Sequence, residues 1–127
     1  MTFYLDSSAI IKLAVIEPET KKLKTFLGDT PFASTEIAQV EVSRTLRRLD
    51  VDPSRGVEIL RGMYFLQFNN SVAKIAALLD AKKLAALDAI HIATALSNDL
   101  TTFVTYDKRQ AEAARASGLI VMTPGAD

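Results

Sequence analysis

The chain has no cysteine, no net charge and no long apolar run. Each absence removes a class of answer. Without cysteine there is no disulfide, no thiolate metal site and no cysteine nucleophile, a composition that fits a reducing cytoplasm. Lys plus Arg number 15 and Asp plus Glu number 15, so overall charge draws the chain neither to a polyanion nor to a membrane. Any nucleic-acid contact has to come from a local basic patch. No apolar stretch approaches the ~18 residues of a membrane span, and the N-terminus lacks the basic region and apolar run of a signal peptide. A soluble, cytoplasmic protein is expected. Nor is there a linker, a repeat or a low-complexity segment, so residues 1–127 read as one domain, a size that buries roughly two-thirds of the unfolded surface.

What is present is alternation of short β-rich runs with helical ones. Residues 2–5, "PFAS", "YFLQF", "TTFVTY" and "LIVM" read as strands. Between them "SAIIKLAV", "EPETKKLKTFLG", "STEIAQVEVSRTLRRL", "NSVAKIAALLDAKKL", "LDAIHIATALSND" and "DKRQAEAARASG" read as helices, with Asp52 capping a further one that starts at Pro53 and Gly118 closing the last. The tail "TPGAD" reads as irregular. Strands alternating with helices argue an α/β fold: a central, mostly parallel sheet of about five strands, covered by helices on both faces.

In such a sheet the C-terminal ends of all strands share one rim, where ligands bind. Asp6 ends the first apolar run and Asp107 follows "FVTY", so both lie on that rim if their strands are neighbours. Each is equally well placed to cap the next helix. Glu41 sits between Val40 and Val42 in the apolar half of its helix. A buried carboxylate needs a partner, which is either a metal or Arg44 one turn on. Asp88 begins "DAIHIATAL" and is either the N-cap of that helix or, because the helix leads back to the strand before Asp107, a fourth acid on the same rim. Acids gathered at one rim repel one another, and a hard divalent cation with oxygen ligands resolves the repulsion. Mg²⁺ or Mn²⁺ held in this way serves phosphoryl-transfer chemistry. His91, the only histidine, stands three residues after Asp88 in an apolar helix. It reads as a buried structural residue and is left out of the metal site. Arg44, Arg47 and Arg48 form the densest basic cluster, either a solvated helix end or a set of phosphate contacts.

"YLDSSAIIKL", "EVSRTLRRL", "LDAIHIATAL", "VTYDKR" and "GLIVMTPG" together resemble the PIN-domain ribonucleases, with the VapC-type toxins of toxin–antitoxin pairs the nearest likeness. Each motif alone is weak, and their order and spacing along nearly the whole chain make the match specific. The resemblance implies one PIN-like domain and an endoribonuclease dependent on Mg²⁺ or Mn²⁺. By position it carries the catalytic and metal-binding acids over to Asp6, Glu41, Asp88 and Asp107. Ser7 or Ser8 and Thr105 fall where hydroxyls support the acids in that family. The resemblance also implies a homodimer silenced by a cognate antitoxin. There is one departure: many relatives carry an arginine just before the "LDA" element, where this chain has Ala85.

Three rivals compete with this reading. A response-receiver module needs an acceptor Asp ending the middle strand, and "YFLQF", taken as that strand, runs into Asn69 and Asn70. An aspartyl-nucleophile phosphatase needs a second Asp two residues after the first, where Ser8 stands. The third is a PIN-like scaffold that binds RNA or protein without cutting. A metal-dependent endoribonuclease remains the expectation, because an inert scaffold has no use for acids held in register.

Overall fold

No residue of strand β1 (Phe3–Leu5) is exposed, so both faces of the sheet at this point have to be covered. The computed structural model describes residues 1–126 and shows how this is done. After β1 come α1 (Ser7–Ala14), α2 (Thr20–Leu27), β2 (Phe32–Thr35), α3 (Ala38–Arg48), α4 (Pro53–Arg61) and β3 (Tyr64–Leu66). The chain continues through α5 (Asn70–Leu78), α6 (Ala86–Ser97), β4 (Thr102–Val104), α7 (Lys108–Ala116) and β5 (Ile120–Met122). The strands form one five-stranded sheet in the order β3-β2-β1-β4-β5, and every pairing is parallel. This is the expected α/β architecture.

Alternation along β1 divides the core in two. Phe3 and Leu5 join Ile10 and Leu13 of α1, Leu23 of α2, and Val42 and Leu46 of α3. Tyr4 points to the opposite side and joins Ile92 of α6, Phe103 of β4 and Ala114 of α7. The Tyr4 ring stacks on Phe103 with centroids 5.1 Å apart, across the register pair Tyr4↔Phe103. The edge strands β3 and β5 each begin with an exposed residue, Tyr64 and Ile120.

Several boundaries differ from the sequence reading. The helix expected from Ser34 begins only at Ala38, because Ser34 and Thr35 extend β2. There the backbone N–H of Thr35 donates to the Tyr4 hydroxyl. The helix expected from Asn70 to Leu84 stops at Leu78, and Asp80 then turns the chain by accepting from the backbone N–H groups of Lys82 and Lys83. Helix α6 starts at Ala86, one residue before the expected start at Leu87, which leaves Asp88 inside its first turn. Within "YFLQF", Tyr64–Leu66 form the edge strand β3, and the central strand is β1, which Asp6 directly follows. The receiver comparison was therefore made on the wrong strand. As expected, Asp52 caps α4 through Ser54 N–H, and Gly118 follows α7 at φ +94°, a value glycine adopts without strain. Residues 123–126 are irregular, and the tail's final residue, Asp127, lies outside the described residues. Among the described residues no helix is long and apolar enough to cross a membrane.

Leu5 lies wholly buried where the central strand meets α1 and α3. Leu5→Ala should cost about 2–5 kcal/mol through the cavity it leaves. A lower urea midpoint with an unchanged slope is the expected result, and an unchanged midpoint would place the core elsewhere.

Candidate active site

Strands β1 and β4 are direct neighbours, so Asp6 and Asp107, which follow them, share a rim. The two other acids reach the same rim by topology. Helix α3 starts where β2 ends and carries Glu41 in its first turn. Helix α6 runs back to the start of β4, so its own first turn, with Asp88, lies at the opposite, C-terminal rim. All four acids thus sit at helix N-termini, Asp6 and Asp107 as caps, where the helix dipole favours negative charge.

Asp6 is 4% exposed, and its carboxylate is enclosed by donors. Oδ1 accepts from Ser8 Oγ at 2.6 Å and from Ala9 N–H at 3.1 Å, while Oδ2 accepts from Thr105 Oγ1 at 2.5 Å. The backbone settles the direction of these bonds. Tyr106 N–H donates to Ser8 Oγ and Asp107 N–H donates to Thr105 Oγ1, so each hydroxyl already accepts and turns its own proton to Asp6. The segment after β4 is thereby tied to the end of β1. Burial still pushes the Asp6 pKa upward, against the pull of His91, Ser8, Thr105 and Ala9.

Glu41 is half-buried. Its Oε1 accepts from Ser7 Oγ at 2.9 Å and from His91 Nε2 at 2.8 Å. Burial works against its charge, but the hydrogen bond from His91, the charge that ring can carry, and Ser7 outweigh it and hold the pKa below the ordinary value. The alternative partner, Arg44, plays no such part. Arg44, Arg47 and Arg48 are all exposed, and no ion pair involves them among the described residues. Arg48 lies seven residues past Glu41, about 10 Å along the helix from the rim.

Asp107 is exposed and accepts from the N–H groups of Arg109 and Gln110. Asp88 is not an N-cap. That position belongs to Ala85, which makes no side-chain capping bond. Among the described residues Asp88 receives no hydrogen bond and no ion pair. Burial raises its pKa, and so do the charges of Asp107, Asp6 and Glu41, with only His91 opposing.

The sequence reading kept His91 as a buried structural residue. It is 2% exposed, yet it also links two residues of the network: Nδ1 lies 2.8 Å from the Tyr4 hydroxyl and Nε2 meets Glu41. The available signal was a polar ring in an apolar helix, which has to find a partner. Its partners stand 87 and 50 residues away. A cavity of about 720 Å³ flanks α7 and is lined by Lys82, Lys83 and Arg109 among others; none of the four acids lines it.

Among the described residues no group of three or more His, Asp or Glu side chains is arranged, as it stands, to hold a metal ion. The donor set nevertheless fits one. It is all oxygen, as a hard divalent cation requires, and Asp88 lies without a donor in the field of the other three acids, which is where a cation would relieve the most repulsion.

A PIN domain model matches residues 3–116. The chain is 42% identical over 127 residues to Ribonuclease VapC46 of Mycobacterium tuberculosis (strain ATCC 25618 / H37Rv), covering 95% of this chain and 96% of that one. Among solved structures it resembles M. tuberculosis VapC20, described as a Sarcin-Ricin loop cleaving toxin, with a TM-score of 0.75 at 13% identity over 96% of this chain and 99% of that one. A toxin–antitoxin complex from Klebsiella pneumoniae matches with a TM-score of 0.72 at 20% identity, over 96% and 97%.

The Asp88 pKa, raised above the ordinary 3.8, sets a pH dependence. The folded state binds this proton more tightly than the unfolded state, so ionisation costs stability above the raised value and nothing below 3.8. In chelator, Asp88→Asn should therefore melt above the parent at neutral pH, and the gap should close as the pH falls toward 3.8. A variant that melts lower at neutral pH would show that the carboxylate has a stabilising partner.

Proposed function

Because this chain belongs to the PIN domain family, we propose that it is a metal-dependent endoribonuclease that hydrolyses RNA phosphodiester bonds, and the toxin of a toxin–antitoxin pair. The observation that carries this reading is Asp88, a half-buried carboxylate with no donor of its own in the field of Asp107, Asp6 and Glu41. Mere structure gains nothing from this convergence, and a cation site needs it. That weighs against a scaffold that binds without cutting.

Asp6 and Asp107 would hold Mg²⁺ or Mn²⁺ from the ends of neighbouring strands, and Asp88 would complete the site. Glu41 would either bind a second ion or orient the attacking water. When bound, the metal polarises the phosphoryl oxygen and lowers the pKa of water. The chain's own contribution is placement. Ser8 and Thr105 fix the Asp6 carboxylate, and Ser7 and His91 fix one oxygen of Glu41. Arg44 and Arg48 follow Glu41 at helical spacing along α3, with Arg47 beside them, and contact RNA phosphates leading away from the rim. Ala85, at the N-cap of α6, leaves this edge of the site without the arginine common in relatives. Action is in the cytoplasm, as a homodimer, with a cognate antitoxin docking on α1 and α2 and closing the site.

Chelator should abolish RNA cleavage, Mn²⁺ should restore it, and the metal should raise the melting temperature by mass action on the folded state. Asp6→Asn should lose both effects. Cleavage that persists in excess chelator would refute the mechanism. For the arginines, each phosphate contact removed by Arg44→Ala, Arg47→Ala or Arg48→Ala should reduce the salt dependence of single-stranded RNA binding by roughly 0.7 in log–log slope. Unchanged slopes in all the variants would return the cluster to a solvated helix end.

A further inference from the structure

We propose that His91 is a positioning residue for Glu41, and that the buried hydroxyl of Tyr4 fixes its ring in the Nε2–H tautomer. The proton order follows from the backbone outward. Thr35 N–H can only donate, and it donates to the Tyr4 hydroxyl oxygen at 3.1 Å. Ser34 Oγ donates to the same oxygen at 3.5 Å. The proton of Tyr4 itself is then left for His91 Nδ1, at 2.8 Å, or for the Thr94 hydroxyl, and the carboxylate facing the other ring nitrogen selects His91. A ring nitrogen that accepts carries no proton, so the neutral imidazole keeps its proton on Nε2. That nitrogen faces Glu41 Oε1 at 2.8 Å. A carboxylate can only accept, so every link has one donor and one acceptor.

The other tautomer fails at both ends. It sets a bare Nε2 against a carboxylate oxygen at 2.8 Å and crowds the Tyr4 oxygen with donors. Tyr4 is wholly buried, so its hydroxyl has no solvent to turn to and its proton has to go to a neighbour in the fold. With Oε1 held by Ser7 and His91, Oε2 accepts no hydrogen bond among the described residues and is the oxygen left for a ligand. Partners that hold a ligating side chain in this way are worth roughly 10–100-fold in metal affinity or activity. The consequence for catalysis rests on the ribonuclease reading, and the tautomer does not.

The chain's single histidine makes the test direct. In metal-free full-length protein with isotope-labelled histidine, nitrogen NMR recorded at a pH that leaves the imidazole neutral should show Nε2 protonated and Nδ1 bare. A neutral ring with its proton on Nδ1 would overturn the proposal. Tyr4→Phe provides a second arm, since it keeps the ring stacked on Phe103 and removes only the hydroxyl. It should lower Mn²⁺ affinity, and the cleavage rate at saturating RNA, by about tenfold or more while leaving KM for RNA unchanged. Parental Mn²⁺ affinity and rate in this variant would overturn the positioning role. A parent that cuts no RNA would refute the ribonuclease reading alone, and the tautomer and Mn²⁺ affinity would still decide the role of His91.

Discussion

A carboxylate buried at the end of the central strand is tolerable only when donors meet its oxygens, and much of this rim is built around that requirement. Asp6 takes bonds from Ser8, Ala9 and Thr105. The two hydroxyls are themselves aimed by the backbone N–H groups of Tyr106 and Asp107. One set of bonds therefore joins the end of β1, the start of α1 and the link from β4 to α7. The same links place Asp107, whose own N–H is part of the collar. A second set, from Thr35 through Tyr4 and His91 to Glu41 and Ser7, ties β2 and β1 to α6, α3 and α1.

These collars treat the acids unequally. Asp6 and Glu41 are held by neutral donors or by a ring that can carry charge, and Asp107 is held by the first turn of α7. Asp88 is left with the repulsion of its neighbours. Spread over four helix N-termini, part of the negative charge is offset by the dipoles. The remainder is an electrostatic demand of the kind a divalent cation would meet, carried by a protein with no net charge. On the proposed reading the RNA chemistry would be local, with acids at the rim and arginines along α3.

Alternation of strands and helices was legible because buried parallel strands and amphipathic helices leave different periods. Asp6 and Asp107 were legible because an acid directly after an apolar strand has few places to go except the rim. The start of α6 was not. "LAALDAIH" is helix-forming throughout and its cap is Ala85, which makes no side-chain bond, so Asp88 was the only polar residue to suggest a boundary. The partner of Glu41 was missed for another reason. Arg44 is within reach one turn along the same helix, whereas His91 is brought there only by the tertiary fold, from α6 packed on β2. Strand order was equally hidden, since nothing local in "YFLQF" marks it as an edge.

A shared cation site at the rim is tested most directly by anomalous scattering from crystals soaked in Mn²⁺. A single dominant manganese peak should lie among Asp6, Asp88 and Asp107, with the Asp88 carboxylate turned onto it and the Ser8 and Thr105 bonds to Asp6 retained. Manganese bound elsewhere, or no peak at the rim in protein that cuts RNA, would contradict it.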